Sequence, residues 1–230
     1  MFFFDPNYLI FMIPAFLLMA ITSWYVKAAY NKWSRVAAGS RFSGYEATKR
    51  LINSSGLYGV QIQGTPGEMT DHYDPRNKTV FLSTGVANSA SVAALAIAAH
   101  ELGHAQQDAE EYFPLKFRGA LVPLVQIGSN LGWILILIGL FIGWTGLAWL
   151  GVLVFSGGAL FALATLPVEF DASARAKRML ADSGIIQTDA EMRGVNNVLN
   201  AAALTYVAGL VTAILQLLYY VSLISGRSRD

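Results

Sequence analysis

Residues 98–105 of this chain read Ala98-Ala99-His100-Glu101-Leu102-Gly103-His104-Ala105, which places the pattern His-Glu-x-x-His in a run of helical character. Residues four apart share one face of a helix, so His100 and His104 can offer two imidazole nitrogens to one metal ion. Glu101 projects one step round the helix, where its carboxylate reaches the attacking water rather than the metal. This pattern is typical of a zinc-dependent hydrolase with two histidine ligands and a general base. Two core histidines on an apolar helix are the competing interpretation, but only three histidines occur in 230 residues.

The composition is that of a membrane protein. Hydrophobic residues make up 54% of the chain and charged residues only 13%, about half the charged share that is usual in soluble proteins. A formal net charge of +1, without a dense basic run, excludes a nucleic-acid partner. The absence of cysteine excludes a disulfide framework and a thiolate metal site. Histidine and carboxylate side chains are therefore the ligands that a metal ion would find here.

Four apolar runs reach the length of a membrane-spanning helix, namely residues 8–25, 121–142, 147–166 and 199–223. Basic residues follow the first run and none precedes it, which favours an uncleaved anchor over a signal peptide; they are Lys27, Lys32, Arg35 and Arg41. The positive-inside rule then puts the segment after the anchor in the cytoplasm. The second and third runs form a hairpin, because only Gly143-Trp144-Thr145-Gly146 separates them. A fourth span puts Arg227 and Arg229 outside, against that rule, and a re-entrant or interfacial last segment is the alternative.

The expected fold is a mainly α-helical, multi-span integral membrane protein with a small cytoplasmic α+β catalytic domain. The predicted domains are residues 1–26 as an N-terminal transmembrane anchor, 27–120 as the cytoplasmic catalytic domain with the motif helix, 121–166 as the transmembrane hairpin, 167–198 as a cytoplasmic helix with the third metal ligand, and 199–230 as the C-terminal transmembrane helix and tail. Pro167 is expected to end or kink the third span.

Local signals predict the elements of the catalytic domain. A capping box at Ser43 and Glu46 predicts a short helix. The motif helix is expected to begin at Ser89 or Ser91, to run past Gln107, and to be too short for a span. Runs of strand-like residues predict a small antiparallel sheet, with strands at residues 60–63, 69–73 and 79–82. Such a strand would either hold an extended substrate by strand addition or only cover the core.

A catalytic zinc ion usually has three protein ligands and a water, so a third ligand must come from outside the motif. Glu169, which directly follows the third apolar run, is the favoured ligand over the interpretation that it is only a helix-start charge. Asp171 is the alternative ligand, or an acceptor that orients the ligands. Ser173 lies one turn after Glu169, faces the same way and is a candidate to support the ligands. Arg175 is interpreted as a membrane-surface cation, with an active-site donor as the alternative.

The remaining histidine, His72, is assigned a catalytic role as a donor to the oxyanion of the tetrahedral intermediate. The neighbouring Tyr73 is the alternative donor. A surface histidine without a catalytic role is the competing interpretation.

Four segments of the chain resemble the YugP-like membrane zinc metallopeptidases: Thr70-Asp71-His72-Tyr73-Asp74-Pro75, Ala98-Ala99-His100-Glu101-Leu102-Gly103-His104-Ala105, Gly128-Ser129-Asn130-Leu131-Gly132 and Leu166-Pro167-Val168-Glu169-Phe170-Asp171-Ala172-Ser173. The resemblance covers almost the whole chain, including the order of the spans. It implies a membrane peptidase with zinc as its cofactor.

More distantly, the layout is similar to the HtpX/Ste24-type membrane gluzincins, in which a His-Glu-x-x-His helix and a later Glu-x-x-x-Asp helix hold a zinc ion that faces the cytosol. Matched residue by residue, the resemblance implies a zincin-like catalytic domain with His100, His104 and Glu169 as ligands and Glu101 as base. The match departs at Ser173, where the gluzincins carry the aspartate that orients the first histidine. Asp171 and Asp71 are the candidates to substitute for it.

The predicted function is that of a membrane-embedded zinc-dependent endopeptidase, with one zinc ion per chain, that cuts membrane or misfolded proteins near the cytoplasmic face. Its predicted location is the inner (plasma) membrane, as a multi-pass protein in the lipid bilayer. The predicted partners are a protein or peptide substrate and, as further candidates, a membrane regulatory protein or a second copy of the chain. The alternatives are an intramembrane-cleaving metalloprotease and a non-enzymatic membrane scaffold or regulatory protein with a zinc site.

Overall fold

The structure, a computed structural model, describes residues 6–227, and for Arg227 the backbone alone. Arg229 and the other terminal residues lie outside the described part of the chain. The fold is mainly helical, with helices α1 (Pro6–Trp33), α2 (Gly44–Ser54), α3 (Thr84–Ala87), α4 (Val92–Ala109), α5 (Phe113–Phe141), α6 (Thr145–Phe155), α7 (Gly157–Asp182) and α8 (Asp189–Arg227). The strands are β1 (Gln61–Thr65), β2 (His72–Asp74) and β3 (Thr79–Ser83).

The described chain divides into two compact units. The first, called the apolar unit, comprises residues 6–23, 116–166 and 205–227. The second, called the sheet unit, comprises residues 24–115 and 167–204. Both units are therefore built from segments that are distant in sequence.

Four helical segments are long and apolar enough to cross a membrane: Pro6–Trp33, Phe113–Phe141, Thr145–Asp182 and Asp189–Gly226. They contain the four apolar runs of the sequence. Only 17–22% of the residues in their most apolar windows are buried in the protein, so most of the apolar side chains face outwards, as they do towards lipid. The prediction of a mainly α-helical protein is confirmed, and each of the four apolar runs lies in a candidate span. That the last helix fully crosses the membrane stays a prediction.

Glycines let α5 and α6 of the apolar unit pack closely. A Cβ on Gly132 or Gly151 would lie within 2.6–2.7 Å of a backbone nitrogen of the opposite helix, and one on Gly139 would meet the backbone of Ala148. The connecting turn contains Gly143 at a φ of +72°, which favours glycine. The two helices thus form the predicted hairpin with backbone-to-backbone contact.

Helix α7 runs without interruption through Pro167, from Gly157 to Asp182. The helix therefore does not end at this proline, and the end of the membrane span at this position stays a prediction. A membrane helix tolerates a proline where neighbouring groups satisfy the freed carbonyl. A short interruption lies at Ser156, between α6 and α7. As a consequence, the apolar run and Glu169 share one continuous helix.

In the sheet unit, the capping box of α2 is confirmed, because the Glu46 carboxylate accepts a hydrogen bond from the Ser43 backbone N–H at 2.9 Å. Ser91 caps α4, with its side chain accepting from Ala94 N. The strand order is β1-β3-β2, with β2 antiparallel and β1 parallel to β3. The expectation of a purely antiparallel sheet is wrong, because the chain from β1 crosses to the far side of β3 and only β2 and β3 are joined by a tight turn.

Candidate metal centre

Two helices of the sheet unit bring three ligand side chains together. His100 and His104 project from α4, and Glu169 projects from the part of α7 that belongs to this unit. The Glu169 Oε2 atom lies 3.3 Å from Nε2 of His100 and 3.7 Å from Nε2 of His104. All three ligand atoms lie within 4.8 Å of one another. The favoured third ligand is thus beside the motif histidines.

The donor set and its spacing fit a zinc ion. Two imidazole nitrogens and one carboxylate oxygen are a usual set for catalytic zinc. A tetrahedral ion with bonds of about 2.0–2.1 Å separates its ligand atoms by about 3.3–3.4 Å, close to the two distances from the Glu169 oxygen. The described residues supply three donors in this group, which leaves a fourth position for water or substrate.

Small residues allow α4 and α7 to approach closely enough for the three ligand side chains to meet. A Cβ on Gly103 would collide with the backbone carbonyl of Ala172. On α7, Val168, Ala172 and Ala176 recur at intervals of four and are fully buried, so they form one packed face. Because Gly103 directly precedes His104, this close helix contact lies next to the ligands.

In each of the two ligand histidines, Nδ1 lies within hydrogen-bond distance of a side-chain oxygen. The Nδ1 atom of His104 lies 3.0 Å from Oε1 of Gln107, and that of His100 lies 3.3 Å from Oγ of Ser173. Both partner oxygens can accept a hydrogen bond from an Nδ1–H group. The amide oxygen of Gln107 can only accept, so this contact fixes the tautomer of His104 and leaves Nε2 as the free ligand atom. The hydroxyl of Ser173 can accept from Nδ1–H of His100 in the same way when Nε2 of His100 is the ligand atom.

Ser173 therefore stands beside the first histidine, at the position where the gluzincins carry aspartate. The two proposed substitutes lie elsewhere. Asp71 accepts hydrogen bonds from the backbone and side chain of Ser83, at 2.7 and 3.0 Å. Asp171 accepts from Gln107 and Arg175 and does not belong to the three-ligand group.

Glu101 is buried next to the ligands, with 8% of its surface exposed. Burial raises the pKa of its carboxyl above the ordinary value, although the neighbouring imidazoles of His100 and His104 act in the opposite direction. A raised pKa makes the carboxylate a stronger base. The side chain that the motif assigns as general base thus lies beside the ligands without being one of the three.

Arg175 is buried, with 9% of its surface exposed. Its guanidinium donates to Oδ2 of Asp171 at 2.5 Å and to Oε2 of Glu110 at 2.6 Å. It joins the end of α4 to α7 within the sheet unit. The interpretation of Arg175 as a membrane-surface cation is therefore wrong. Its side chain forms ion pairs inside the sheet unit.

His72 lies on β2 with its side chain exposed, stacked on Phe81 at 4.7 Å between ring centroids. Its Nδ1 lies 2.8 Å from the carbonyl oxygen of Thr70, which can only accept, so Nδ1 carries the proton and Nε2 of the neutral ring is an acceptor. The Tyr73 hydroxyl donates to Asp108 at 2.9 Å. The oxyanion role of His72 stays a prediction, and it requires the protonated ring.

The sequence analysis places Gln107 on the motif helix but gives it no role at the site. This side chain is fully buried and contacts His104. The signal was available in the spacing, because a polar residue three positions after a ligand lies on the same helix face.

Comparison with known proteins gives two matches. The family model described as "Putative neutral zinc metallopeptidase" matches residues 8–225. The chain is 41% identical over 206 residues to the "Putative membrane protease YugP" of Bacillus subtilis (strain 168), an alignment that covers 89% of this chain and 91% of that protein. No solved structure matches the chain. The family match includes the three ligand residues and nearly all of the four candidate spans.

Proposed function

We propose that this chain, which belongs to the family described as "putative neutral zinc metallopeptidase", is a membrane-embedded, zinc-dependent endopeptidase. The observation that carries the proposal is the convergence of His100, His104 and Glu169 within 4.8 Å, with the buried carboxylate of Glu101 beside them. The three donors leave one coordination position open, as in catalytic rather than structural zinc sites. The sheet unit would then be the zincin-like catalytic domain.

The mechanism assigns a separate task to each residue. His100, His104 and Glu169 would hold the ion. Zinc, when bound, supplies Lewis-acid chemistry that polarises a carbonyl group and acidifies water. Glu101 takes a proton from the attacking water and delivers it to the leaving amine. The protonated ring of His72 is the proposed donor to the oxyanion.

The substrates that we propose are membrane proteins or misfolded segments near the bilayer. The support is chain continuity along one helix. Glu169 follows Leu166, the last residue of the apolar run, by three positions on α7, which is about 5 Å along the helix axis. The active site would therefore act at the membrane surface.

We further propose that this surface is the cytoplasmic face of the inner membrane. The support is the distribution of charge at the ends of the spans. Basic residues flank the ends that the sheet unit connects, and they include Lys27, Lys32, Arg35, Arg41, Lys116 and Arg118. The turn between α5 and α6 is uncharged. The positive-inside rule assigns such basic ends to the cytoplasm.

Cleavage of an unfolded reporter protein by the purified chain in detergent tests the proposed function. The wild type should cut, with new amino termini visible by mass spectrometry. Glu101→Gln should lower kcat by about 10²–10⁴-fold while zinc stays bound, because only proton transfer is removed. The same change at the exposed Glu68 is the matched control and should leave cleavage intact. Cleavage by Glu101→Gln at the wild-type rate would contradict the mechanism.

A further inference from the structure

Gln107 connects the second motif histidine to α7. It lies on α4, one turn after His104, and is completely buried. Its Nε2 atom donates to the backbone carbonyl of Val168 at 2.8 Å and to Oδ2 of Asp171 at 2.9 Å. Its Oε1 atom lies 3.0 Å from Nδ1 of His104. The whole amide is thus engaged by three groups of the protein.

The chemistry of these partners permits one orientation of the amide. A backbone carbonyl and an ionised carboxylate can only accept hydrogen bonds, so both require the NH2 group of Gln107. The oxygen of the amide must then face His104. An amide oxygen can only accept, and Nδ1 of His104 must therefore carry the proton. The lone pair of the neutral ring is left on Nε2, the atom that lies beside Glu169.

We propose that Gln107 is the positioning residue of His104, whose amide, oriented by Val168 and Asp171, holds the imidazole in the tautomer and direction that present Nε2 to the metal. Gln107 is not one of the three candidate ligands. This inference rests on the proposed function only in that it takes His104 as a zinc ligand. It adds a residue outside the His-Glu-x-x-His motif to the machinery of the site.

Asp171 can orient the amide of Gln107 because Arg175 fixes the position of its carboxylate. Arg175 donates to the same Oδ2 atom that accepts from Gln107, and Glu110 pairs with the opposite side of the guanidinium. A charged hydrogen bond keeps Asp171 ionised and therefore unable to donate. A continuous chain of hydrogen bonds thus leads to the ligand His104. It consists, in order, of Glu110, Arg175, Asp171 and Gln107.

A purely structural role for Gln107 makes a different prediction. If Gln107 only joined α4 to α7, its loss would lower the stability of the fold but leave zinc affinity and metal geometry unchanged in the folded protein. A positioning role changes both, because outer partners of metal-binding histidines affect affinity by about 10–100-fold. Zinc affinity and the spectrum of a substituted metal therefore separate the two roles.

The experiment uses the full-length chain in detergent. Zinc affinity is measured by competition with a chromophoric chelator, and Co²⁺ absorption reports the geometry at the metal. Gln107→Met, which keeps the length of the side chain, should weaken zinc binding by about 10–100-fold and change the Co²⁺ spectrum. Gln106→Met is the matched control, one position along the helix and not in contact with His104, and should match the wild type.

Asp171→Ala provides a second, independent variant. It removes one of the two groups that orient the amide and should weaken zinc binding less than Gln107→Met does. The double variant should bind zinc no more weakly than Gln107→Met alone, because both changes act through one amide. Additive losses would contradict this coupling. If Gln107→Met does not fold, Asp171→Ala decides, and wild-type affinity with an unchanged Co²⁺ spectrum would overturn the proposal.

The outcomes separate this inference from the proposed function. Wild-type zinc affinity and an unchanged spectrum in folded Gln107→Met would overturn the positioning role and leave the peptidase intact. A wild-type chain that binds no zinc would overturn both.

Discussion

Ser173 gives His100 a neutral partner in place of the carboxylate that the gluzincins carry at this position. Its Oγ atom lies 3.3 Å from Nδ1 of His100 and is buried. A hydroxyl oxygen accepts a weaker hydrogen bond from the imidazole than an ionised carboxylate does. The two histidines are thus supported by neutral partners, a hydroxyl group for His100 and an amide for His104.

We predict that Ser173→Ala weakens zinc binding by about tenfold, since it removes the acceptor that orients His100. Competition with a chelator measures the change. Ser183→Ala, which makes the same change at the end of α7 and away from the ligands, should leave zinc affinity as in the wild type. Equal affinities for Ser173→Ala and the wild type would show that the hydroxyl does not orient His100.

The sequence identifies the residues of the motif more easily than their supports. His100, Glu101 and His104 follow from one helical period, and Glu169 follows from the need for a third ligand. Ser173 follows from its spacing of one helical turn after Glu169, but the support by Gln107 depends on which imidazole nitrogen faces which side chain, and this is fixed only by the crossing of α4 and α7. Arg175 was misinterpreted for the same reason, because its two acidic partners are visible only in the folded chain.

At the scale of elements, the contact between α4 and α7 determines whether the site forms. We predict that Gly103→Ala lowers the free energy of unfolding by about 1–3 kcal/mol, because the methyl group would collide with the Ala172 carbonyl and separate the helices. Zinc binding should fall with it, since His104 and Glu169 move apart. Chemical denaturation and zinc affinity measure the two effects.

Gly119→Ala is the matched control for this change, because Gly119 also lies inside a helix but a Cβ there meets nothing within 4 Å. It should be neutral or slightly stabilising. A Gly103→Ala protein with unchanged stability and zinc affinity would show that the close helix contact is not required.

Local signals predict the elements better than their connections. The capping box and the hairpin turn depend on neighbouring residues, and both occur where the sequence places them. The parallel pairing of β1 with β3 joins distant segments and has no local signal. Helix α7 continues through Pro167, which the usual effect of proline does not predict.

At the scale of the whole molecule, the proposed function requires one orientation in the membrane. The chain has no cysteine. The labelling of a single introduced cysteine therefore shows on which side of the membrane that residue lies, without background from other positions. We predict that Thr145→Cys, at the start of α6 beside the hairpin turn, reacts with a membrane-impermeant maleimide in right-side-out vesicles. Asn53→Cys, an exposed position of the sheet unit, should react only after permeabilisation. The reverse pattern would place the sheet unit outside the cell.

The central claim is that His100, His104 and Glu169 hold the zinc ion with which the chain cuts peptide bonds. The most direct test is the zinc content per chain, measured together with reporter cleavage, for the wild type and for Glu169→Ala with matching helical content by circular dichroism. The proposed mechanism predicts about one zinc ion per wild-type chain with cleavage, and the loss of both in Glu169→Ala. A Glu169→Ala protein that keeps its zinc and cuts as the wild type does would contradict it.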